Sequence, residues 1–304
     1  MDKTSRKTPT KHIHFLINPG AGQRAAATVR RLAPQAFPAG AWRLHFHELS
    51  NWRQIRVLAA QAARQRAWAV VAVGGDGTLN QAALALAGSA CRLGVVPAGT
   101  GNGYARALGI PLDAEGACAV IKAGKVRRLD FGAMDADRGY ANMLGLGYDA
   151  WVAARANRLR WMNRVSGFAR YLAAGILCAH HLRPQRLRLT LDHGRVLEGR
   201  WLLVAAALSP QYGFGCTIAP EARLDDGLLD VVCVPPSGPI TFARNCLRLF
   251  TRQPLLGAQF HRSATLRVES LEKGPLALHL DGEPGGVTPA TVKVLPGALR
   301  VLAP

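Results

Sequence analysis

The 304-residue chain reads as an α/β domain built on a parallel sheet, followed by a β-rich domain of sandwich or barrel type. Two observations predict this class. The first half repeats a unit of short apolar run, glycine-rich loop and helical segment, the pattern of a sheet covered on both faces. From about Leu129 onward, short strand-like runs are grouped with turn residues between them, the pattern of a separate sheet-rich unit. The length itself suits two domains.

Residues 1–11 form a short basic tail. His12 to Ile17 is an apolar strand that stops at Asn18-Pro19-Gly20-Ala21-Gly22, where glycine and proline mark a tight loop. A helix follows over Ala25 to Leu32. Leu44 to Glu48 is a second strand, and Ile55 to Ala67 has helical spacing. Ala69 to Val73 is wholly apolar and bounded by Gly74-Gly75-Asp76-Gly77, which predicts a strand buried on both faces. Thr78 to Ala87 is helical. Leu93 to Val96 is another buried strand, leading into Pro97 to Gly103 and a further helix. Beyond Leu129 the strand-like runs are Leu187–Leu191, Trp201–Leu208, Leu228–Val234, Thr265–Val268 and Leu276–Leu280. Trp151 to His181 and Ile240 to Thr251 read as helices. The expected boundaries are 12–129 for the α/β domain, joined by a last strand within about 291–304, and 130–290 for the β-rich domain.

Hydrophobic residues make up 49% and charged residues 19%, enough to build a core and too apolar for global disorder. The net charge is +19, carried by 31 Arg and 7 Lys. Such a field suits an anionic partner, whether nucleic acid, an acidic membrane surface or a phosphorylated substrate, although composition drift would produce it too. No recognised nucleic-acid module is present, so no nucleic-acid partner is expected. The six cysteines lie far apart, without CxxC spacing or an adjacent histidine in a ligand pattern. No zinc site or disulfide framework is expected from them, and a reducing compartment is. The N-terminus lacks the apolar region of a secretory signal, and no stretch of 18 uncharged apolar residues occurs. A cytoplasmic protein with at most peripheral membrane contact is expected. Between Arg155 and Arg200 there are ten arginines against Asp192 and Glu198, interleaved at first with Trp151, Trp161, Phe168 and Tyr171. A basic helix bearing aromatic residues suits the inner face of an anionic membrane, and an ordinary packed helix is the alternative.

The three glycine loops would all lie at the carboxyl edge of a parallel sheet, where open α/β folds bind ligands. Glycine lets a backbone approach a phosphate, and the helix N-terminus that follows offers free N–H groups. No GxxxxGK[ST] and no convincing GxGxxG occurs, which disfavours a P-loop NTPase and a standard dinucleotide-binding dehydrogenase. The middle loop adds an acid, Asp76. A carboxylate among phosphate-binding groups makes sense when it faces Mg²⁺ on a nucleotide or an attacking hydroxyl.

The run Val71-Ala72-Val73-Gly74-Gly75-Asp76-Gly77-Thr78-Leu79-Asn80 resembles the nucleotide-binding signature of the diacylglycerol kinase catalytic-domain family, which includes bacterial lipid kinases and the sphingosine and ceramide kinases. Its GGDGT loop is distantly shared with NAD kinases and 6-phosphofructokinases. Asn18 to Gly22 is similar to the family's first phosphate loop, and Pro97-Ala98-Gly99-Thr100-Gly101-Asn102 to its PxGTxN loop. Leu129-Asp130-Phe131-Gly132 and Asn142 to Ala150 resemble the entry to its second domain. Ile218 to Asp230, with Asp225-Asp226-Gly227, and Leu280-Asp281-Gly282-Glu283 resemble its two acidic motifs.

The resemblance implies an ATP-dependent lipid kinase that uses Mg²⁺ and a lipid acceptor. It implies that Asn18, Pro19, Gly20, Ala21, Gly22, Gly74, Gly75, Asp76, Gly77, Thr78, Leu79, Asn80 and Thr100 hold ATP. Ser50 is the nearest hydroxyl to the family's nucleotide-contacting Thr. Glu283 is implied as the acceptor of the substrate hydroxyl proton, with Asp281 as a neighbouring candidate and Asp76 serving Mg²⁺–ATP or the acceptor. A second, structural Mg²⁺ is implied on the Asp226 carboxylate and the main-chain carbonyls of Arg223 and Leu228; a solvated Asp-Gly turn is the plain alternative. The chain departs from the family at Gly103, where an acid usually follows the Asn. A kinase of a soluble alcohol and a non-catalytic lipid-binding homologue are the competing functions. The acceptor and the oligomeric state stay open, a homodimer included.

Overall fold

The computed structural model describes residues 10–18, 23–159, 167–178 and 182–304. Four parallel strands build the first half: β1 (Lys11–Ile17), β2 (Trp42–Glu48), β3 (Ala69–Gly74) and β4 (Arg92–Pro97), in the order β2-β1-β3-β4. The step from β1 to β2 runs one way across the sheet, and the steps to β3 and β4 run the other. Right-handed crossovers therefore put the first helix on one face and the next two on the opposite face. Accordingly α1 (Gln23–Ala36) packs on α5 (Ala114–Ala123), while α2 (Arg53–Arg64) packs on α3 (Asp76–Leu86). With both faces covered, every residue of β3 is buried, as its unbroken apolar run requires. A short helix, α4 (Gly103–Ala107), follows the loop after β4.

Beyond β5 (Val126–Ala133) and the short β6 (Gly139–Tyr140), the chain enters β7 (Met143–Gly147) and two helices, α6 (Tyr148–Arg158) and α7 (Gly167–Leu177), which pack on one another. The single helix expected over Trp151–His181 is thus divided. The α6 end is held where Asn157 Nδ2 donates to the Gly282 carbonyl, at 2.8 Å. Trp161, and the side chain of Phe168, lie outside the described residues.

The remaining strands are β8 (Gln185–Thr190), β9 (Val196–Trp201), β10 (Leu203–Ala207), β11 (Leu229–Val234), β12 (Gln259–Ser263), β13 (Thr265–Ser270), β14 (Ala277–Leu280), β15 (Glu283–Val287) and β16 (Ala290–Leu302), with α8 (Pro239–Thr251) between β11 and β12. An antiparallel sheet runs β12-β11-β10-β7-β14-β15. It stacks on the extension β16-β13-β8-β9 of the first sheet, and Leu187, Leu189, Val204, Val231, Leu266 and Val268 fill the space between. The apolar run Trp201–Leu208, expected as one strand, serves both sheets. Trp201 ends β9 opposite Gln185, and β10 pairs with β7 and β11.

The 13-residue β16 pairs with β13 through Ala290–Lys293, with β4 through Arg300 and Val301, and with β5 over much of its length. One strand thereby runs through both halves and holds the glycine loops in front of the second sheet. All six cysteines are free, four of them buried. Among the described residues no helix is long and apolar enough to cross a membrane.

Candidate active site

The glycine loops converge where β3 and β4 end. The two loops run back to back: a Cβ on Gly99 would lie 2.4 Å from the Gly75 Cα, an approach that only glycine permits. Asn102 closes the second loop from a left-handed conformation (φ 48°). Its Oδ1 accepts from the Gly99 N–H at 3.1 Å, and its Nδ2 donates to the Gly99 carbonyl at 2.9 Å. At the end of β1, Asn18 donates from Nδ2 to Thr78 Oγ1 at 2.9 Å. Thr78 sits in the first turn of α3, whose leading N–H groups have no intrahelical acceptor and carry the positive end of the helix dipole. The loops thus frame a site for an anion.

Three acids border this frame. Asp76 accepts from the Gly103 N–H at 3.1 Å and the Tyr104 N–H at 3.3 Å. Burial pushes its carboxyl up to about 6; the two bonds oppose that rise, and the Asp281 carboxylate adds to it. Asp281 is saturated. Its Oδ1 accepts from the N–H groups of Asn142 (3.0 Å) and Met143 (2.8 Å). Its Oδ2 accepts from Asn80 Nδ2 (2.8 Å) and the Ala141 N–H (2.9 Å). Burial raises its carboxyl, and these donors oppose the rise. The four bonds tie α3 to the entry of β7, so this carboxylate positions its neighbours. Glu283 opens β15 with Oε1 3.3 Å from where a Gly77 side chain would begin, directly against the middle glycine loop.

These groups open into one cleft of about 1280 Å³. Asn18, Gly75–Thr78, Ala98–Gly101, Asp281 and Glu283 line one wall. Val152, Leu172 and Ile176 from α6 and α7, Leu202 just before and Leu203 at the start of β10, and Phe242, Leu249 and Phe250 from α8 line the other. Among the described residues Arg170 is the single Arg or Lys that lines the cleft. It is buried, its guanidinium lies 4.9 Å from the Tyr171 ring centroid, and its Nε has no hydrogen-bond partner among the described residues. Between the two walls, the Gly282 N–H donates to His279 Nδ1 at 3.2 Å. The His279 proton therefore sits on Nε2, which faces Asp149 Oδ2 at 3.1 Å. The Tyr212 hydroxyl donates to the same oxygen at 2.8 Å, and burial beside Asp149 raises that phenol well above its ordinary range.

The departure at Gly103 has a steric cause. A Cβ there would lie 1.8 Å from the Tyr212 carbonyl oxygen. Asn142 holds that segment in place, donating from Nδ2 to the carbonyls of Gln211 (2.9 Å) and Tyr212 (3.1 Å).

Residues 12–134 match the family model of the diacylglycerol kinase catalytic domain, and residues 142–303 match that of the YegS C-terminal NAD kinase beta sandwich-like domain. A diacylglycerol kinase of Mycobacterium tuberculosis strain H37Rv is 32% identical over 256 residues, covering 82% of this chain and 81% of the relative. The chain belongs to the diacylglycerol kinase catalytic-domain family of lipid kinases. A protein of Pseudomonas aeruginosa strain UCBPP-PA14 named "Probable lipid kinase YegS-like" is 35% identical over 246 residues, or 77% of this chain and 76% of its own. A crystal structure of a diacylglycerol kinase from Bacillus anthracis strain Sterne superimposes with a TM-score of 0.74 over 98% of both chains; at 20% identity it shares the fold.

In this lipid kinase several expected nucleotide residues stand behind the cleft rather than on it. Leu79 is in the core, Asn80 is bonded to Asp281 and to the Gly139 carbonyl, and Gly74 is buried at the end of β3. Ser50 does not line the cleft, and its N–H donates to Gln54 Oε1; the exposed Trp52 lines it instead. Pro19, Gly20, Ala21 and Gly22 lie outside the described residues.

The Asp225-Asp226-Gly227 turn does not line the cleft. Asp130 of β5 anchors it, accepting the Gly227 N–H at 2.6 Å and the Gly297 N–H at 2.8 Å. Asp226 accepts from Arg262 and from the Leu228 N–H at 3.1 Å. Burial pushes Asp230 up to about 6; Arg262 opposes this, and the carboxylates of Asp226 and Glu221 add to it. Asp230 Oδ2 has no hydrogen-bond partner among the described residues.

Proposed function

We propose that this lipid kinase transfers the γ-phosphate of ATP to a hydroxyl of a lipid acceptor, diacylglycerol-like or sphingoid-like. One observation carries the reading: a single cleft joins the glycine-loop frame to an apolar wall, with the Glu283 carboxylate against the loop. Its volume of about 1280 Å³ exceeds the roughly 300–1,000 Å³ of common ligand pockets, as a nucleotide and an acyl chain together demand.

In this reading the phosphates of ATP lie on the N–H groups at the start of α3 and on the loop holding Thr100, with Asn18 and Thr78 beside them. Trp52 offers a ring face at the same wall. Glu283 takes the proton from the acceptor hydroxyl as its oxygen attacks the γ-phosphorus, and the bond to the β-phosphate oxygen breaks to release ADP. Asp281 and Asn80 hold the Glu283 strand against the loop. Arg170 supplies positive charge inside the cleft, and an Mg²⁺ bound with ATP would add charge neutralisation at the phosphates. A second, structural Mg²⁺ at the Asp226 turn would take the place of Arg262 on that carboxylate and add the carbonyls of Arg223 and Leu228, with the orphaned Asp230 oxygen nearby.

The acceptor enters from a bilayer in this proposal. Leu172, Ile176 and Leu177 of α7 and Ile240, Leu247 and Phe250 of α8 are exposed, and Leu172, Ile176 and Phe250 also line the cleft. Arg244, Arg248 and Arg252 accompany α8. An apolar patch with basic residues beside it suits an anionic surface. A soluble alcohol acceptor would leave the apolar wall without a role.

The test is transfer of label from [γ-³²P]ATP into a total bacterial lipid extract with Mg²⁺, resolved by thin-layer chromatography. A labelled lipid that Glu283→Gln loses, with ATP affinity kept, is the expected result. Transfer only to a soluble acceptor, or full turnover in the variant, would refute the assignment.

A further inference from the structure

Two His-x-His runs, His12-Ile13-His14 and His45-Phe46-His47, take no part in the kinase reading. Strand side chains alternate faces, so each run puts both imidazoles on one side of its strand. The parallel register of β1 and β2 sets His14 beside His45 and Leu16 beside His47. The four rings therefore interleave in the order His12, His45, His14, His47. Successive centroids are 5.2, 4.3 and 5.3 Å apart, with planes within 24° of parallel. The apolar contact of β2 is on the other face, where Phe46 stacks on Phe15.

The ring nitrogens meet as pairs. His12 Nδ1 lies 3.1 Å from His45 Nε2, and His14 Nδ1 lies 3.1 Å from His47 Nε2. Nitrogen atoms of His12, His14 and His45 all fall within 4.8 Å of one another. Among the described residues these hydrogen bonds run between imidazoles, with no carboxylate or carbonyl partner of the kind that fixes an ordinary core histidine. Two imidazoles on one tetrahedral ion, each about 2.0–2.1 Å from it, stand about 3.3 Å apart. The paired nitrogens already have nearly that spacing, and rotation of the imidazoles about their side-chain bonds brings in the third. Two ligands at i and i+2 of one strand plus a third from its neighbour start from positions that the strand register holds side by side.

We propose that His12, His14 and His45 bind one transition-metal ion of the imidazole-preferring class, zinc foremost, with His47 beside them as the hydrogen-bond partner of His14. An all-nitrogen set selects zinc, copper or nickel over the Mg²⁺ of phosphoryl transfer, which takes oxygen. The ion would clamp the edge strand β2 to β1, immediately before Asn18 enters the candidate active site.

The test uses the tag-free, metal-stripped full chain, titrated with Zn²⁺ against a chromogenic chelator and with Co²⁺ while visible absorption is followed. The expected result is one Zn²⁺ per chain and a Co²⁺ spectrum of tetrahedral nitrogen ligation. His14 is buried and its replacement would endanger the fold, so the partly exposed His45 and His47 carry the argument. His45→Gln should weaken Zn²⁺ binding by more than the roughly 10–100-fold typical of losing an outer-shell partner. His47→Gln should weaken it less, and His193→Gln not at all, with each variant shown folded by its metal-free melting curve. No zinc uptake, or uptake that His45→Gln leaves unchanged, overturns the site and leaves a row of imidazoles sharing protons.

Discussion

Gly103→Ala isolates the close contact at the position where the chain departs from the family pattern. The added Cβ would lie 1.8 Å from the Tyr212 carbonyl oxygen, 2.8 Å from its carbon and 3.2 Å from Asn142 Nδ2. Carbon–oxygen contacts of this kind settle at about 3.3–3.6 Å, so the Tyr212 segment must retreat by about 1.5 Å. Retreat breaks the bonds from Asn142 Nδ2 to the Gln211 and Tyr212 carbonyls, at about 1 kcal/mol each. Overpacking strain adds about 1–3 kcal/mol. The expected loss is about 3–5 kcal/mol. At about 2.1 cal/mol/K per residue, 304 residues give an unfolding entropy near ~0.6 kcal/mol/K, so Tm should fall by about 5–8 °C. Scanning calorimetry reads this directly. Gly101→Ala is the control, because its new methyl meets nothing closer than 3.4 Å and should change Tm by less than about 2 °C. A Gly103→Ala protein that melts with the wild type would refute the steric account of Gly103.

Asp281→Asn keeps the shape but turns an amide NH₂ toward two of the four donors around that carboxylate. It should cost about 2–4 kcal/mol in urea unfolding; an unchanged midpoint would deny the clamp. Asp76 sets a pH dependence. Burial raises its carboxyl from an ordinary value near 3.8 to about 6, so the cost of the buried charge is complete above about pH 6 and is relieved as the pH falls toward 3.8. The stability of the wild type relative to Asp76→Asn should therefore rise by up to about 3 kcal/mol between pH 7 and pH 4, at about 1.36 kcal/mol per unit. A flat difference would remove the buried-charge reading. Calorimetry with Mg²⁺ should lose one binding event in Asp226→Ala, and an identical isotherm would dismiss the turn as a cation site. Flotation with anionic liposomes should fall at least several-fold in Ile176→Glu/Phe250→Glu, while equal flotation on neutral and anionic vesicles would count against the basic apolar face.

The first half of the fold was legible because a parallel sheet buried on both faces leaves continuous apolar runs, and glycine loops punctuate them. Ala69–Val73 and Leu93–Val96 carry that signature without help from the rest of the chain. The second half was legible only as strands. Trp201–Leu208 shows why: β9 and β10 are both apolar, and nothing local says that Trp201 pairs with Gln185 in one sheet while Leu203 pairs with Gly147 in the other. The candidate site divides in the same manner. Asp281 and Glu283 were visible as acids at a turn, but the saturation of Asp281 by four donors depends on Asn80 and on Ala141–Met143, brought together by the fold. Trp52, Arg170 and the Asp149–His279–Tyr212 network left no local signal, because an aromatic, an arginine and a lone histidine are ordinary until a cavity forms around them.

Composition and pattern alone determined a basic, two-part α/β and β-rich chain with three glycine loops and acids at turns, and its motifs resemble those of the lipid kinases. Those features rest on residue type and on spacing within a few positions, where backbone geometry is local. The tertiary structure decided which acid is spent on backbone donors and which faces the loop, why position 103 has no side chain, and that two separate His-x-His runs form one row. Each of these depends on contacts between residues far apart in the chain, and such contacts exist only once the strands have chosen their neighbours and register.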